Sequence, residues 1–309
     1  MVDSRDEWEG RLPVVVYIAG YGRSGSTVLD MVLGGGTRGL GEVVQVFEAW
    51  NEDQRCSCQQ PYHDCELWAP VMARVQSYAS ADQLRHAAVV TRRVERWRPN
   101  GRGIASTADK ASYRLVWRTL FGVMREVAAS PLFVDSSKSD RFTANRALSL
   151  ARIAGLDVRV IHLVRDPRAV AWSVMRGSNR RLEAGQPATV RGGAGRALLG
   201  WSAANWNASA AARRLPSVRV RYEDFVDDPV AEVQRVEAGL GVSLTDVVER
   251  LRAGEPLSAG HGVAGNRLRR NGADGVRRDG EWLEKLPTSV RVLAAATWPL
   301  ARRHGYRLV

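Results

Sequence analysis

Pro13 is followed by the apolar run Val14–Ala19, which passes without a break into Gly20-Tyr21-Gly22-Arg23-Ser24-Gly25-Ser26-Thr27. The run is rich in β-branched residues and has no polar alternation. That pattern predicts a strand buried on both faces, as in the interior of a parallel sheet. The turn leads into a short apolar helix over 27–33, stopped by Gly34-Gly35-Gly36. Residues 12–36 are therefore expected to form a strand–loop–helix unit. Backbone N–H groups at a helix N-terminus carry partial positive charge and attract anions. Glycines let the backbone approach closely, and the hydroxyls of Ser24, Ser26 and Thr27 add donors.

Further strands are expected at 131–135, 158–164 and 218–222. Helices are expected through 71–130 with a polar break at 98–107, and at 145–154, 197–215, 229–240 and 287–304. One more starts at Asp166-Pro167, where proline suits a first helical turn. Strands alternating with helices predict a single α/β domain over 1–309, a central parallel sheet flanked by helices. Residues 40–70 hold turn-formers and are expected to be irregular. The Gly- and Arg-rich stretches 178–196 and 261–280 are expected to be loops, the first of them mobile.

The formal charge is +12, and only three lysines occur, Lys110, Lys138 and Lys285. Solvated faces account for the bulk of the arginine; the arginines inside motifs suit a phosphate or sulfate ligand. No recognition-helix, zinc-finger or RNA-binding signature is present, so nucleic acid is not an expected partner. The apolar runs are too short to cross a bilayer. The N-terminus lacks a basic stretch followed by an apolar one, so a cytoplasmic location is expected. Cys56, Cys58 and Cys65 with His63 give the pattern C-x-C-x₄-H-x-C. This is not a usual zinc spacing, and reduced thiols without a metal are expected.

The first loop departs from the nucleoside-triphosphate pattern G-x-x-x-x-G-K-S/T. Gly20 and Gly25 keep its glycine spacing, but Ser26 stands where the lysine belongs, and the cation comes earlier, at Arg23. A loop that holds a β,γ-phosphate with Mg²⁺ needs that lysine. A kinase or nucleotidase is thus the second reading, and a non-catalytic nucleotide- or anion-binding protein the third.

Gly22-Arg23-Ser24-Gly25-Ser26-Thr27 resembles the 5′-phosphosulfate loop of the 3′-phosphoadenylyl-sulfate-dependent sulfotransferases, here as in bacterial members. Three further segments resemble that family in the same order. Arg165-Asp166-Pro167, with Ser173 eight residues after Arg165, is similar to its 3′-phosphate site. Tyr222-Glu223-Asp224 is similar to its adenine-side segment. The stretch Gly265–Gly272 is similar to its late basic loop, with Arg269 the best match, Arg270 and Arg267 as alternatives, and Asn266 beside them.

The resemblance implies transfer of a sulfuryl group from 3′-phosphoadenylyl sulfate to a hydroxyl or amine of a small molecule, leaving adenosine 3′,5′-bisphosphate. It implies in-line displacement with no metal in the reaction. By position, Arg23 becomes the cation bridging leaving phosphate and sulfuryl group. The aryl sulfotransferases carry a histidine base after their second strand; Ser136-Ser137-Lys138 has none. Glu42 is then the leading base, with His63 as an alternative, and Lys138 is expected to reach the donor. His162, inside a buried strand, is expected to be structural. Acceptor contacts are expected from 40–130 and from the 178–196 loop. Trp50, Trp68, Trp97 and Trp117 there would suit a lipid, polyketide or other natural product.

Overall fold

The computed structural model describes residues 8, 10–96, 105–139, 143–177, 192–264 and 275–307. Asn266, Arg267, Arg269, Arg270, Trp97 and most of the 178–196 loop lie outside them. Among the described residues one sheet forms from β1 (Val14–Ala19), β2 (Leu132–Asp135), β3 (Asp157–Val164) and β4 (Ser217–Arg221), in the order β2-β1-β3-β4. Every pairing is parallel; Val16 of β1, for example, stands beside Val134 on one side and Arg159 on the other. This is the α/β architecture expected from the sequence.

β1 alternates between two cores. Val15, Tyr17 and Ala19 pack with α3 (Trp68–Val75), α4 (Ala81–Glu95) and α5 (Thr107–Val127). Val16 and Ile18 pack with α1 (Ser26–Gly34) and, through β3 and β4, with α10 (Pro229–Leu240) and α11 (Thr245–Arg252). Both faces are covered, which is why the strand has no polar residue to spare for solvent.

From β1 the chain crosses to β2 on one side, then returns to lay β3 on the other. The strand order therefore reverses between β1 and β3. In open α/β sheets a ligand crevice forms outside the carboxyl ends of the strands at such a switch point. The Gly20 loop, Ser136–Lys138, Arg165 and Tyr222 each follow the carboxyl end of one strand.

Several elements differ from expectation. Residues 40–70 are irregular over about half their length, as expected, but also carry one-turn segments at Val43–Gln45 and Tyr62–Asp64, α2 at Val46–Asn51 and the start of α3. The Ala-rich helix α8 spans Ala194–Ala212, so the end of the expected 178–196 loop is its first turn. β4 stops at Arg221, and Tyr222 opens the short helix α9 (Tyr222–Asp227), with Glu223 and Asp224 suiting its N-terminal dipole. The closing helix is broken into α13 (Thr288–Ala294), a turn at Ala295–Thr297 and α14 (Trp298–Arg303). Pro299 cannot donate to the preceding turn, which accounts for the break. α6 (Arg146–Arg152) lies between β2 and β3, and α7 (Pro167–Arg176) follows β3; α12 (Glu281–Lys285) packs on α7. No helix among the described residues is long and apolar enough to cross a membrane.

Candidate active site

The first loop is shaped by two close approaches. Gly20 (φ 142°) lies against β3, where a Cβ would sit 2.3 Å from the Leu163 carbonyl oxygen. Gly25 (φ 94°) lies under Tyr222, whose ring a Cβ would meet at 2.4 Å. Only glycine fits either place. Arg23 takes a left-handed backbone (φ 71°) although it is not glycine. Its guanidinium donates to the Gly177 carbonyl at the end of α7 (3.3 Å), and its own carbonyl accepts from Arg165 (3.0 Å).

Arg165 is nearly buried and joins three parts of the site. Besides Arg23, it donates to Asp279 (3.0 Å), and its guanidinium lies 4.3 Å over the Tyr222 ring. Tyr222 in turn donates to the Arg277 carbonyl (3.3 Å). Burial raises the Tyr222 phenol above its ordinary pKa, so it stays protonated. Glu223 accepts from the Asp166 backbone N–H (3.0 Å) and from Tyr306 (2.6 Å), pinning the end of β4 to that of β3. Asp166 caps α7 through the Arg168 N–H (2.8 Å). Ser173 faces inward two turns along α7 and is 9% exposed.

Two buried polar atoms here have no hydrogen-bond partner among the described residues: Ser24 Oγ and Arg165 Nε. An unmet buried donor costs about 1–3 kcal/mol. Their place, at the loop and on the cation beside it, suits oxyanions that would accept from both.

Glu42 and Lys138 come from different strand ends and form an ion pair. The segment before Glu42 extends the sheet beyond β2: Leu40 N donates to the Val134 carbonyl (2.9 Å), and Ser136 N to the Gly41 carbonyl (2.8 Å). Val263 lies on the far side, accepting from Glu42 N (2.8 Å) and donating to the Leu40 carbonyl (2.8 Å). Gly41 (φ 67°) is needed because a Cβ would meet the Val263 carbonyl at 2.5 Å. Glu42 also accepts from Gln45 (2.9 Å). Lys138 has a left-handed backbone like Arg23 (φ 67°), and its side chain lines a concavity with Gly20, Tyr21, Ser26 and Leu163.

The turn carrying Lys138 rests on a buried network that the sequence reading missed. Arg146 donates to Asp135 (2.7 Å) and Glu95 (2.6 Å), with all three side chains at 0% exposure. Its guanidinium lies 4.2 Å over the Trp117 ring. Tyr113 donates to Glu95 (2.8 Å), Asp135 accepts from Ser137 N (2.9 Å), and Tyr17 donates to the Lys138 carbonyl. Burial, with Asp135 sharing the one guanidinium, raises the Glu95 carboxyl to about 7. No sequence motif marks these residues: Glu95 and Arg146 lie on helices with other charged side chains, and only Asp135, at the end of an apolar strand, stands out.

Other expectations separate. His162 is buried, bonded to Asn205 (3.0 Å) and lowered by burial to about 4, a structural histidine. Trp68 and Trp117 are at 0% exposure in the core and line no open pocket. His63 is not with the thiols: it contacts the Trp50 carbonyl (3.0 Å) and Asp53 (3.6 Å), while the carboxylate paired with Lys138 is Glu42. The histidine beside Cys65 is His261 (3.3 Å).

Residues 13–246 match the family profile described as the sulfotransferase family. No curated protein matches the chain in sequence. The solved sulfotransferase domain from the curacin biosynthetic pathway is similar in fold, with 19% identity and a TM-score of 0.52 over 97% of this chain and 100% of that one. The sulfotransferase domain from the Synechococcus PCC 7002 olefin synthase is similar to the same degree, with 19% identity and a TM-score of 0.51 over 97% of each chain. With the family profile spanning most of the chain, and the loop, the strand-end arginine and the parallel sheet all in place, this chain belongs to the sulfotransferase family.

Proposed function

We propose that the chain transfers a sulfuryl group from 3′-phosphoadenylyl sulfate to a hydroxyl of a small molecule by in-line displacement. The observation that carries the reading is the arrangement of two anion-suited centres at the switch point. One is the Gly20–Thr27 loop with Lys138 beside it; the other is Arg165 over Tyr222. A nucleotide with a charged group at each end of its ribose has use for both. The buried Ser24 hydroxyl and the Arg165 Nε supply unmet donors for its oxygens.

The donor supplies an activated sulfur whose bond to a phosphate oxygen breaks as the acceptor oxygen attacks. The residues' work is electrostatic and positional. The loop N–H groups and Ser26 hold sulfuryl and phosphate oxygens at the start of α1. Arg23 and Lys138 offset charge growing on the departing oxygen. Arg165 and Ser173 hold the second phosphate, and Tyr222 packs by the base; Asn266, Arg269 and Arg270, outside the described residues, are further phosphate ligands by the family resemblance.

Glu42 takes the acceptor's proton. Its pairing with Lys138 gives this transfer a second effect. Once Glu42 is protonated, it no longer neutralises the ammonium, and the freed charge of Lys138 acts on the leaving group at the moment it is needed. The two fold relatives come from a curacin pathway and an olefin synthase, which supports a natural-product alcohol as acceptor class. The reaction itself needs no metal in this scheme.

Thermal melting tests the donor. Adenosine 3′,5′-bisphosphate is expected to raise the midpoint, since a ligand of the native state stabilises it. Stabilisation by ATP–Mg²⁺ and not by the bisphosphate would overturn the proposal in favour of a kinase-like protein. Bisphosphate binding with no sulfuryl transfer to any of a panel of alcohols would overturn the catalytic part and leave a binding protein.

A further inference from the structure

The three cysteines were expected to be plain reduced thiols, yet they converge on one point with a histidine from nearly 200 residues away. The Sγ atoms of Cys56, Cys58 and Cys65 and a ring nitrogen of His261 all lie within 4.8 Å of one another. Cys58 Sγ is 3.7 Å from Cys65 Sγ, and Cys65 Sγ is 3.3 Å from His261 Nδ1. None of the cysteines is in a disulfide. A tetrahedral zinc ion, with Zn–S of about 2.3 Å and Zn–N of about 2.0–2.1 Å, requires S···S near ~3.8 Å and S···N near ~3.5 Å. The Cys58–Cys65 and Cys65–His261 separations match those values, and all four ligand atoms lie within 4.8 Å of one another.

We propose that Cys56, Cys58, Cys65 and His261 form a four-ligand site for a structural zinc ion. Three thiolates and one imidazole select zinc over calcium or magnesium, which take oxygen ligands. Four protein ligands leave no open position for a substrate, so the ion's role is structural, and the chemistry of the donor site does not pass through it. On binding, zinc takes thiolates, and the thiol protons leave to solvent.

The surrounding backbone is built to present these ligands. Arg55 and Pro61 pair as an antiparallel bridge, and Cys56 N donates to the Gln60 carbonyl (2.9 Å). Gln59, with φ 72°, closes the turn and donates to the Cys56 carbonyl (3.0 Å). This sets Cys56 and Cys58 on one side of a tight turn, with Cys65 following Tyr62–Asp64. The His261 segment is held by independent contacts: Ser57 Oγ donates to the Gly260 carbonyl (2.9 Å), and Trp68 Nε1 to the His261 carbonyl (2.6 Å). Cys56 and Cys65 are at 0% exposure.

The consequence is a tether. Val263, two residues after His261, is the strand partner of Gly41 and bonds Glu42 N. The site thus locks the 56–65 turn to the segment that sets Glu42 and that leads into residues 265–274.

The test uses the full chain purified from zinc-supplemented cells. Elemental analysis is expected to find about one zinc per chain. Chelator-stripped protein titrated with Co²⁺ is expected to develop the visible bands of tetrahedral cobalt and a thiolate charge-transfer band. His261→Ala is expected to lose the metal, His63→Ala to keep it, and His261→Cys to keep it with an altered cobalt spectrum. Cys58→Ser is expected to lower zinc affinity; should it fail to fold, the wild-type cobalt titration still decides. Wild-type protein without zinc, whose stripped form gives no tetrahedral cobalt spectrum, would overturn the proposal. So would a Cys58–Cys65 disulfide in the purified chain, iron in place of zinc, or equal metal content in the His261→Ala and wild-type proteins. None of these readouts depends on sulfuryl transfer.

Discussion

Glu42 and Lys138 meet as an ion pair although 96 residues separate them, because a ladder of backbone bonds lays residues 40–42 beside the end of β2. Glu42→Gln keeps the size and the Gln45 contact but cannot accept the acceptor's proton. It is expected to lower kcat by about a hundred- to ten-thousand-fold. Affinity for adenosine 3′,5′-bisphosphate should hardly change, as followed by calorimetry. Because the two residues act together, the Glu42→Gln/Lys138→Met double variant should lose less than the product of the single losses. Equal turnover of wild type and Glu42→Gln would remove Glu42 as the base.

Arg165 is expected to govern donor binding more than chemistry. Arg165→Ala removes charge-assisted hydrogen bonds of about 1.5–3 kcal/mol, equivalent to a Kd about 10- to 150-fold weaker for the bisphosphate. Asp279 occupies one edge of the same guanidinium and must yield it to a phosphate. Asp279→Asn should therefore tighten binding by up to about fivefold, the range of a partly exposed pair worth ~0–1 kcal/mol. An unchanged or weaker affinity in Asp279→Asn would show that Asp279 does not compete.

The buried network predicts a sharp contrast in stability. Arg146→Met leaves Glu95 and Asp135 without their cation and is expected to cost about 3–5 kcal/mol by denaturant unfolding. Asp82→Asn breaks only exposed pairs, with Arg85 and His86, and is expected to change stability by less than ~0.5 kcal/mol. Comparable losses in the two variants would contradict the burial argument.

Two opposed pH effects overlap in this fold. Glu95 is raised from 4.5 to about 7, so its contribution is present at low pH and is lost as pH rises through that window. His162 is lowered from 6.5 to about 4 by burial, so its contribution is present at high pH and is lost as pH falls. His304, lowered to about 3 by burial with His162 as a second cause, acts in the same sense as His162. Glu95→Gln removes only the first effect. Its stability should climb with pH between 4.5 and 6.5 more steeply than that of wild type, as measured by melting at several pH values. Parallel profiles would show that Glu95 does not titrate in this range.

The strand ends were legible because their signals are local. A β-branched run, a glycine turn and an arginine before Asp-Pro each announce themselves within ten residues. The parallel sheet followed from their alternation. What escaped was set by contacts between distant segments. Glu42's placement depends on Val263, and the partner of the thiols is His261 because Trp68 and Ser57 hold its loop, while the nearer His63 turns to Trp50. Trp68 and Trp117 carry no mark that separates a core indole from a pocket wall. Arg146 looked like any helical arginine, and only burial beside Asp135 and Glu95 gives it a task.

Arg23 and Lys138 share a left-handed backbone, a conformation that costs a residue with a Cβ on the order of 1 kcal/mol. Glycine would relieve that cost at either position, though part of the gain returns as entropy of the unfolded chain. Each relief would also delete a cation from the proposed anion site. Heat resistance and turnover are therefore opposed at these two positions. A library selected for thermal tolerance alone should enrich glycine at 23 and 138 and yield sturdier, silent proteins, whereas selection on turnover should hold both cations in their strained places.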